Sequence, residues 1–352
     1  MEYIKLSEAC TINMGQSPDS STYNEDGKGI PFYQGKADFG EKYPKVRIWC
    51  FEPTKIAQAN DILISVRAPI GALNYADTEC CIGRGLAAIK PIKDRFTKEY
   101  IYYLLKSKHE ELNKQGTGST FKAISRKVLE NVELPNISIH DQIEIVDRLD
   151  KIVTIIDMKK LQIKLLDNLI KSRFVELFGD KGENPNGYSE DTLGNLYKFQ
   201  YGKGNNIPED KGEYPCYGSN GIVGHHTEFN SEDAPIIGHI GAYAGIVNWG
   251  EGKHYVTYNG VICKLRTDRI NPIYGFYLLQ QQDFNRVATK GGGQPFVSYG
   301  DLESPTVVVP PIEIQNDYAA FAKQVDKLKL SIQKSLDKTQ KLFDSLMQEY
   351  FG

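Results

Sequence analysis

An acidic pattern in the second half of the chain could support metal-dependent cleavage of nucleic acid. Asp233 precedes Glu251 by eighteen residues, and Lys253 follows two residues later. This arrangement resembles the acidic pair and lysine of many metal-dependent nucleases, in which carboxylates hold the cation. The segment 251–253 is also typical of a hairpin turn between two strands, because its central residue is glycine. The sequence therefore leaves a metal-dependent nuclease as one hypothesis.

Other patterns for catalysis are missing from the sequence. It has no phosphate-binding G-x-x-x-x-G-K-[ST] loop, no G-x-S-x-G elbow and no H-E-x-x-H helix. It also lacks the Asn/Asp-Pro-Pro-aromatic motif that base methylation would need. The six cysteines form no matched pair of C-x2-C units, which argues against a zinc site. Apart from the nuclease hypothesis, we predict no catalytic residue, no metal and no cofactor.

Glycine-rich polar loops occur at matching places in the first and second halves of the chain. Their residues are better suited to binding DNA than to catalysis. Arginine and lysine can bind phosphates or guanine edges, and asparagine and glutamine suit adenine edges. The predicted DNA-binding residues of the first half are Gln34, Lys36, Arg67, Arg84, Ser119, Thr120 and Lys122. Those of the second half are Tyr217, Ser219, Asn220, His239, Asn259, Lys290, Gln294 and Ser298. The alternative is that these residues belong to ordinary solvated loops.

Two long apolar stripes indicate the elements that position these loops. The stretch 139–179 has no proline or glycine before Gly179, and only Lys160 and Asp167 interrupt its stripe. Its heptad spacing predicts a coiled-coil helix of about forty residues, roughly 60 Å long. The stripe residues are Val146, Leu149, Val153, Ile156, Ile163, Ile170, Phe174 and Leu177. A second stripe closes the chain at Tyr318, Phe321, Val325, Leu328, Ile332, Leu336, Leu342 and Leu346.

The globular segments that precede the two stripes repeat one another. LSEACTINMGQ at 6–16 matches LGNLYKFQYGK at 193–203, so that Gly15 corresponds to Gly202. APIGALN matches AYAGIVN, with Gly71 at the place of Gly245. Eight such blocks match in the same order at offsets of about 173 to 187 residues, which a common strand–helix rhythm does not explain. The sequence predicts a pseudo-two-fold duplicated chain whose long helices pair as an antiparallel coiled coil.

The bulk composition fits a globular protein of two or three domains. The chain has 352 residues, of which 25% are charged, and its net charge of −3 does not by itself indicate a nucleic-acid binder. The first residues lack a signal segment, and no apolar run approaches the roughly 20 residues of a membrane span. We therefore predict a cytoplasmic protein whose six cysteines stay reduced.

With this duplicated plan, the sequence resembles the specificity subunit of type I restriction-modification systems over essentially its whole length. The resemblance rests on two globular segments that are each followed by a long helix, and on the helix endings Phe178-Gly179 and Phe351-Gly352. The matched openings and the APIGALN and AYAGIVN blocks also fit. The predicted fold is α+β, with target recognition domains at 1–136 and 181–310 and long spacer helices at 137–180 and 311–352.

The resemblance implies a non-catalytic subunit that reads double-stranded DNA. Each recognition domain would read one half of a split, asymmetric site, while the helices act as a ruler and dock two methylation subunits. Restriction and translocase subunits would join the complex, and adenine methylation and ATP-driven cleavage would belong to these partners. The alternatives are a nuclease or fused restriction enzyme that uses Asp233, Glu251 and Lys253, and a structural coiled-coil scaffold. A metal-dependent cleavage assay with Glu251→Ala as control distinguishes the nuclease.

Overall fold

The computed structural model describes residues 2–117, 122–204, 212–288 and 293–352. Contacts divide the chain into two compact units, the first comprising Met1–Lys160 with Lys334–Gly352 and the second Leu161–Gln333. Each unit contains one globular part and a portion of each of two long helices. The predicted domain ranges, which separate the helices from the globular parts, remain a prediction.

The first unit is an α+β structure. In chain order its globular part contains β1 (Tyr3–Lys5), α1 (Leu6–Ala9), β2 (Cys10–Met14), β3 (Tyr23–Asn24), β4 (Ile30–Tyr33), β5 (Trp49–Cys50), β6 (Ile56–Ala57), β7 (Ile62–Ser65), β8 (Leu73–Tyr75), β9 (Cys80–Ile82), β10 (Leu86–Pro91), α2 (Lys98–Ser107), α3 (His109–Lys114), α4 (Arg126–Glu130) and β11 (Glu133–Pro135). The strands form a four-stranded sheet, β2-β10-β7-β8, and a five-stranded sheet, β3-β5-β4-β9-β6, while β1 pairs with β11. Helix α2 packs on the four-stranded sheet and buries Tyr100, Ile101 and Leu104 in its core.

The second unit repeats this order of elements. After the first long helix, α5 (Ile139–Phe178), come β12 (Ser189–Thr192), α6 (Leu193–Leu196), β13 (Tyr197–Tyr201), β14 (Tyr214–Gly218), β15 (Gly221–His226), β16 (Ser231–Gly238), β17 (Val247–Val256), β18 (Gly260–Leu265), α7 (Pro272–Gln281), α8 (Phe284–Val287), α9 (Tyr299–Glu303), β19 (Thr306–Val309) and the second long helix, α10 (Ile312–Phe351). Six strands form one sheet, β13-β18-β16-β17-β14-β15, and β12 pairs with β19. The predicted internal repeat is confirmed, because the matched sequence blocks form equivalent elements in the two units.

One strand accounts for the main difference between the sheets. β17 has ten residues and spans the positions that β8 and β9 occupy in the first unit, where a loop separates them. The register between β16 and β17 shifts where Ala234 pairs with Gly250 and Glu232 pairs with Lys253. The interpretation of 251–253 as a hairpin turn was therefore wrong. These residues form a bulge inside a continuous strand, because β16 supplies pairing on both sides of them.

The two long helices pair in opposite directions within each unit. In the first unit Leu149, Ile152 and Ile156 of α5 share a core with Phe343, Met347 and Phe351 near the end of α10. In the second unit Ile170 and Phe174, near the end of α5, share a core with Tyr318, Ala322 and Val325 near the start of α10. The Phe174 and Tyr318 rings meet edge to face with 5.5 Å between their centroids. The predicted antiparallel coiled coil is thus confirmed.

Two residues of the second predicted stripe do not lie in the buried seam. Leu328 and Leu342 are 55% and 51% exposed. Phe343 and Met347 are buried instead. The heptad step of seven residues from Leu336 leads to Phe343 rather than to Leu342, which explains why the neighbouring leucine faces outward.

The structure bears on two further predictions, namely that the cysteines are free thiols and that no segment spans a membrane. All six cysteines are buried and free, as the sequence predicted. In the described part of the chain, no helix combines the length and the apolar character that crossing a bilayer requires.

Candidate nucleic-acid interface

Loops at one edge of the first unit bring together most of its predicted binding residues. We call residues 33–35, 66–68, 83–86 and 122–124 the first binding edge. The carboxyl ends of β4, β7 and β9 meet the start of β10 here. Five backbone hydrogen bonds join these loops: Gly83 N to Tyr33 O at 2.8 Å, Leu86 N to Gly83 O at 3.0 Å, Val66 N to Gly85 O at 2.9 Å, Ala68 N to Lys122 O at 3.0 Å, and Ile124 N to Val66 O at 2.9 Å.

The second unit has the same arrangement at equivalent positions. We call residues 217–219, 239–241, 257–260 and 295–297 the second binding edge. The corresponding bonds are Thr257 N to Tyr217 O at 3.0 Å, Gly260 N to Thr257 O at 2.9 Å, His239 N to Asn259 O at 2.8 Å, Gly241 N to Pro295 O at 2.8 Å, and Val297 N to His239 O at 3.0 Å. The same backbone scaffold therefore holds the loops of both edges, although the side chains differ.

A glycine packs tightly beneath each binding edge. A Cβ atom added to Gly15 would lie 2.2 Å from the carbonyl oxygen of Gly83, and one added to Gly202 would lie 2.2 Å from that of Thr257. Backbone atoms cannot yield to such a clash as a flexible side chain could. The glycines that the sequence matched therefore have a common physical role, which is to let the chain pass under the edge.

Four predicted residues of the first half lie on exposed positions of the first binding edge, namely Gln34, Arg67, Arg84 and Lys122. Gln34 is held by Asp38, whose buried carboxylate accepts hydrogen bonds from the backbone N–H groups of Gln34 at 2.7 Å and Gly35 at 3.2 Å. The same carboxylate forms an ion pair with Arg47.

Three other predicted residues of the first half are not part of that edge. Lys36 is exposed in the turn Lys36–Asp38, directly beyond it. Ser119 and Thr120 lie outside the described residues. The DNA contacts of all these side chains remain a prediction.

Several predicted residues of the second half support the edge from within. Tyr217 and His239 are buried. The Ser219 hydroxyl lies 2.7 Å from the carbonyl oxygen of Ile240 and 2.9 Å from that of Asn259, so it ties two loops together. The Nδ1 atom of His239 lies 3.1 Å from the carbonyl oxygen of Tyr258. These side chains position the edge through hydrogen bonds that are already formed.

The remaining predicted residues of the second half differ in exposure. Asn220 and Gln294 are exposed beside the edge. Asn259 is partly exposed, and its backbone carbonyl accepts the bond from His239 N. Ser298 caps α9, with its hydroxyl 2.6 Å from the Asp301 carboxylate, so this side chain has a structural role. Lys290 lies outside the described residues.

An aromatic cluster at the second binding edge was not predicted from the sequence. The ring of Tyr201 lies 4.3 Å from His239, 4.4 Å from Tyr299 and 5.9 Å from Tyr258, measured between centroids. Burial raises the pKa of Tyr201, so its hydroxyl stays protonated at neutral pH. The internal repeat could have indicated this cluster. It aligns Tyr258 with Arg84, which was predicted to bind DNA, and Tyr299 with Arg126.

The residues of the nuclease hypothesis do not form a metal site. The Asp233 carboxylate accepts a hydrogen bond of 2.7 Å from the backbone N–H of Gly252, which stabilises the bulge in β17. The Lys253 ammonium lies over the ring of Phe229, 4.7 Å from its centroid. Among the residues that the structure describes, no group of three or more His, Cys, Asp or Glu side chains is arranged to hold a metal. Nothing supports the nuclease alternative.

Comparisons with known proteins agree on one family. The family described as "Type I restriction modification DNA specificity domain" matches residues 1–166 and 189–341. The putative type I restriction enzyme MjaX specificity subunit of Methanocaldococcus jannaschii is 44% identical over 149 residues, which cover 42% of this chain and 35% of that protein. This match therefore spans only about a third of that relative.

Two further comparisons cover nearly the whole chain. The EcoprrI specificity subunit of Escherichia coli is 27% identical over 361 residues, covering 94% of this chain and 89% of that protein. The crystal structure of a type I restriction-modification S subunit from M. genitalium has the same fold, with a TM-score of 0.64, 18% identity, and coverage of 100% of this chain and 96% of that one. Because the family match falls on both repeats and covers most of the residues, this chain belongs to the type I restriction-modification DNA specificity family.

Proposed function

We propose that this chain is the DNA-reading specificity subunit of a type I restriction-modification complex and is not itself an enzyme. The globular part of each unit binds one half of a bipartite, asymmetric site in double-stranded DNA. The two binding edges supply the groups that contact the bases and the phosphates. The alternative of a metal-dependent nuclease is not proposed, because Asp233, Glu251 and Lys253 build no metal site.

One observation carries this proposal. The two binding edges have the same backbone hydrogen bonds, but their exposed side chains differ. A protein that reads two different half-sites needs the same presentation of loops twice, with different chemistry on each. The five equivalent hydrogen bonds supply the first requirement. The replacement of Arg84 by Tyr258 at the equivalent position supports the second. A structural scaffold would have no need of either.

The partners follow from the family. We propose that two methylation subunits dock on the long helices α5 and α10, and that restriction and translocase subunits join the larger complex. The cofactor and ATP chemistry would then belong to these partners. A cytoplasmic location is part of the proposal, because all six cysteines are free thiols, which suit a reducing compartment.

The proposal also assigns the ruler role to the helices. The predicted recognition domains, 1–136 and 181–310, would read sequence, and the helices beyond them would set the gap between half-sites. Four residues inserted between Asp150 and Lys171 lengthen a helix by about 6 Å, and the spacing of base pairs along B-DNA is about 3.4 Å. The gap should therefore grow by one or two base pairs, while both half-site sequences stay the same.

The test is to map methylated sites in DNA that has been treated with the full complex. The complex combines the chain with the methylation subunits of the same restriction-modification system. The insertion variant is compared with a control in which four exposed residues of the same segment are replaced without a change of length. An altered half-site with an unaltered gap would contradict the ruler role. The absence of any bipartite methylated site would contradict the proposed function itself.

A further inference from the structure

The two binding edges differ in charge at equivalent positions. The matching hydrogen bonds and the sequence repeat pair the residues as follows: Arg84 with Tyr258, Arg67 with Ile240, and Lys122 with Pro295. Every one of these cations in the first unit is replaced by an uncharged side chain in the second. From this difference in charge we infer which bases each unit contacts, an inference that rests on the proposed function.

The first binding edge offers unengaged guanidinium groups. Arg67 and Arg84 are exposed, and neither takes part in an ion pair with another residue that the structure describes. Arg84 stands between Gly83 and Gly85, whose backbone packs closely on Gln34. A guanidinium carries its donors in a rigid fork, which fits the O6 and N7 acceptors of guanine in the major groove. This is the commonest specific contact between a protein and a base.

The second binding edge offers apolar surface on a rigid support. Tyr258 is 45% exposed and Phe296 is 38% exposed. The rings of Tyr258 and His239 meet in a T-shaped arrangement with centroids 5.1 Å apart, and the backbone N–H of Tyr258 donates to the Gly204 carbonyl at 2.8 Å. Lys203 lies beside this edge, where it suits a phosphate. Apolar and aromatic groups recognise the methyl group of thymine, and they cannot make the forked contact to guanine.

We propose that Arg84 contacts a guanine in the half-site of the first unit, and that Tyr258 and Phe296 contact a thymine methyl group in the half-site of the second unit. The two halves of the site then differ in base chemistry, which keeps the whole site asymmetric. Asn220 and Gln294, exposed beside the second edge, are available for the adenine that pairs with thymine.

Each of the two proposed contacts is tested with one base analogue that leaves base pairing unchanged. In the half-site of the first unit, 7-deazaguanine replaces guanine and removes the N7 acceptor. In the half-site of the second unit, deoxyuridine replaces thymidine and removes the methyl group. The dissociation constant of the full complex, chain plus methylation subunits, is measured on duplexes that carry either analogue at each position in turn. We expect about a fivefold or greater loss of affinity for 7-deazaguanine at one position, and a smaller loss for deoxyuridine.

Protein variants then assign each loss to a residue. The variant Arg84→Ala should show less than about a twofold response to 7-deazaguanine, because no side-chain donor remains to bond N7, whereas Arg84→Lys should keep part of the response because lysine can also donate to N7. The double variant Tyr258→Ala with Phe296→Ala should lose the response to deoxyuridine, and Tyr258→Phe should keep it. The control is Lys93→Gln, an exposed lysine at the opposite end of β10, which should respond to both analogues as the natural chain does.

The possible results distinguish the proposed base contacts from the proposed function. Every variant must keep its response to the analogue in the other half-site, which shows that the chain is folded and bound. A 7-deazaguanine effect of unchanged size in Arg84→Ala would overturn the guanine contact, and a deoxyuridine effect of unchanged size in the double variant of Tyr258 and Phe296 would overturn the thymine contact. A first half-site without guanine, or a second half-site without thymine, would overturn the inference while leaving the proposed function intact. A complex that methylates no bipartite site would overturn both.

Discussion

The first and second units hold their binding edges with the same backbone bonds but cover them with different side chains. The first edge presents arginine and lysine, whereas the second presents tyrosine, phenylalanine and isoleucine. A similar contrast lies deeper in the units, where Cys80 of β9 corresponds to His254 of β17. The backbone hydrogen bonds and the pairing of the long helices are therefore the same in both units. The side chains that each unit exposes at its binding edge are different.

A buried glutamine shows how closely the duplicated parts agree. Gln142 accepts a hydrogen bond from Thr97 N at 2.9 Å and donates to the carbonyl oxygens of Arg95 at 3.0 Å and Ile137 at 3.1 Å. Gln315 makes the same three bonds to Asn271 N at 2.9 Å, Arg269 O at 2.9 Å and Pro310 O at 2.8 Å. In each unit this one side chain joins the start of a long helix to the loop before α2 or α7.

The largest expected effect comes from placing a charge in the coiled coil. Ile156 is 5% exposed in the first unit and Val325 is 4% exposed in the second. Replacing either by aspartate buries a carboxylate with no partner, at a cost of roughly 3–5 kcal/mol of stability. Thermal denaturation should show a large fall in Tm for both variants. The matched controls, Ser345→Asp and Ser331→Asp at exposed positions of α10, should change Tm little. An unchanged Tm in both buried variants would refute the helix pairing.

A smaller effect should follow from removing either glutamine. Gln142→Ala and Gln315→Ala each leave a backbone N–H and two carbonyl groups without their partner, at a cost of about 2–3 kcal/mol. We expect similar losses of stability in the two units, because the three hydrogen bonds are the same. Denaturant unfolding measures both. A loss confined to one variant would show that the two copies of this contact are not equivalent.

The smallest effect is a pH dependence that His254 gives to the second unit. Burial lowers the pKa of His254, although the Gly252 carbonyl, 2.8 Å from its Nδ1, and the carboxylates of Asp233 and Glu232 oppose the shift. The unfolded chain therefore takes up a proton below about pH 6.5 that the folded chain resists, so stability is present above that pH and falls as the pH drops.

His254→Cys, which copies the residue of the first unit, provides the matched control for this pH dependence. Hydrogen exchange in the β16–β17 region should increase between pH 7.5 and 5.5 in the natural chain, after correction for the intrinsic exchange rate. The increase should be smaller in the variant. An equal increase in both would exclude His254 as the cause.

The sequence was sufficient to predict the features that depend on local periodicity. The two helices, their antiparallel pairing and the matched glycines at 15 and 202 all follow from spacing within one segment or from the repeat. The error at Leu342 has the same origin, since two adjacent apolar residues both fit a helical stripe and only the partner helix selects Phe343.

The features that the sequence could not predict depend on contacts between distant segments. β4 pairs with β9 across about fifty residues, with Phe32 opposite Cys81, and this parallel pairing places Gln34 beside Arg84. No local pattern encodes such a contact. The sequence did not indicate Tyr258 on its own, because the fold brings this residue to the position that Arg84 has in the first unit. The bulge at 251–253 looked like a turn because its stabilising partner, Asp233, lies on another strand.

The most direct test of the central claim is to place the same reader in both units. In this chimaera, residues 181–310 are replaced by residues 1–136, and both long helices are kept. Methylated sites are mapped after treatment of DNA with the chimaera and its methylation subunits. We expect a site whose two halves have the same sequence, namely the half-site that the first unit reads in the natural chain. Persistence of the natural second half-site would contradict the claim that each binding edge reads its own half.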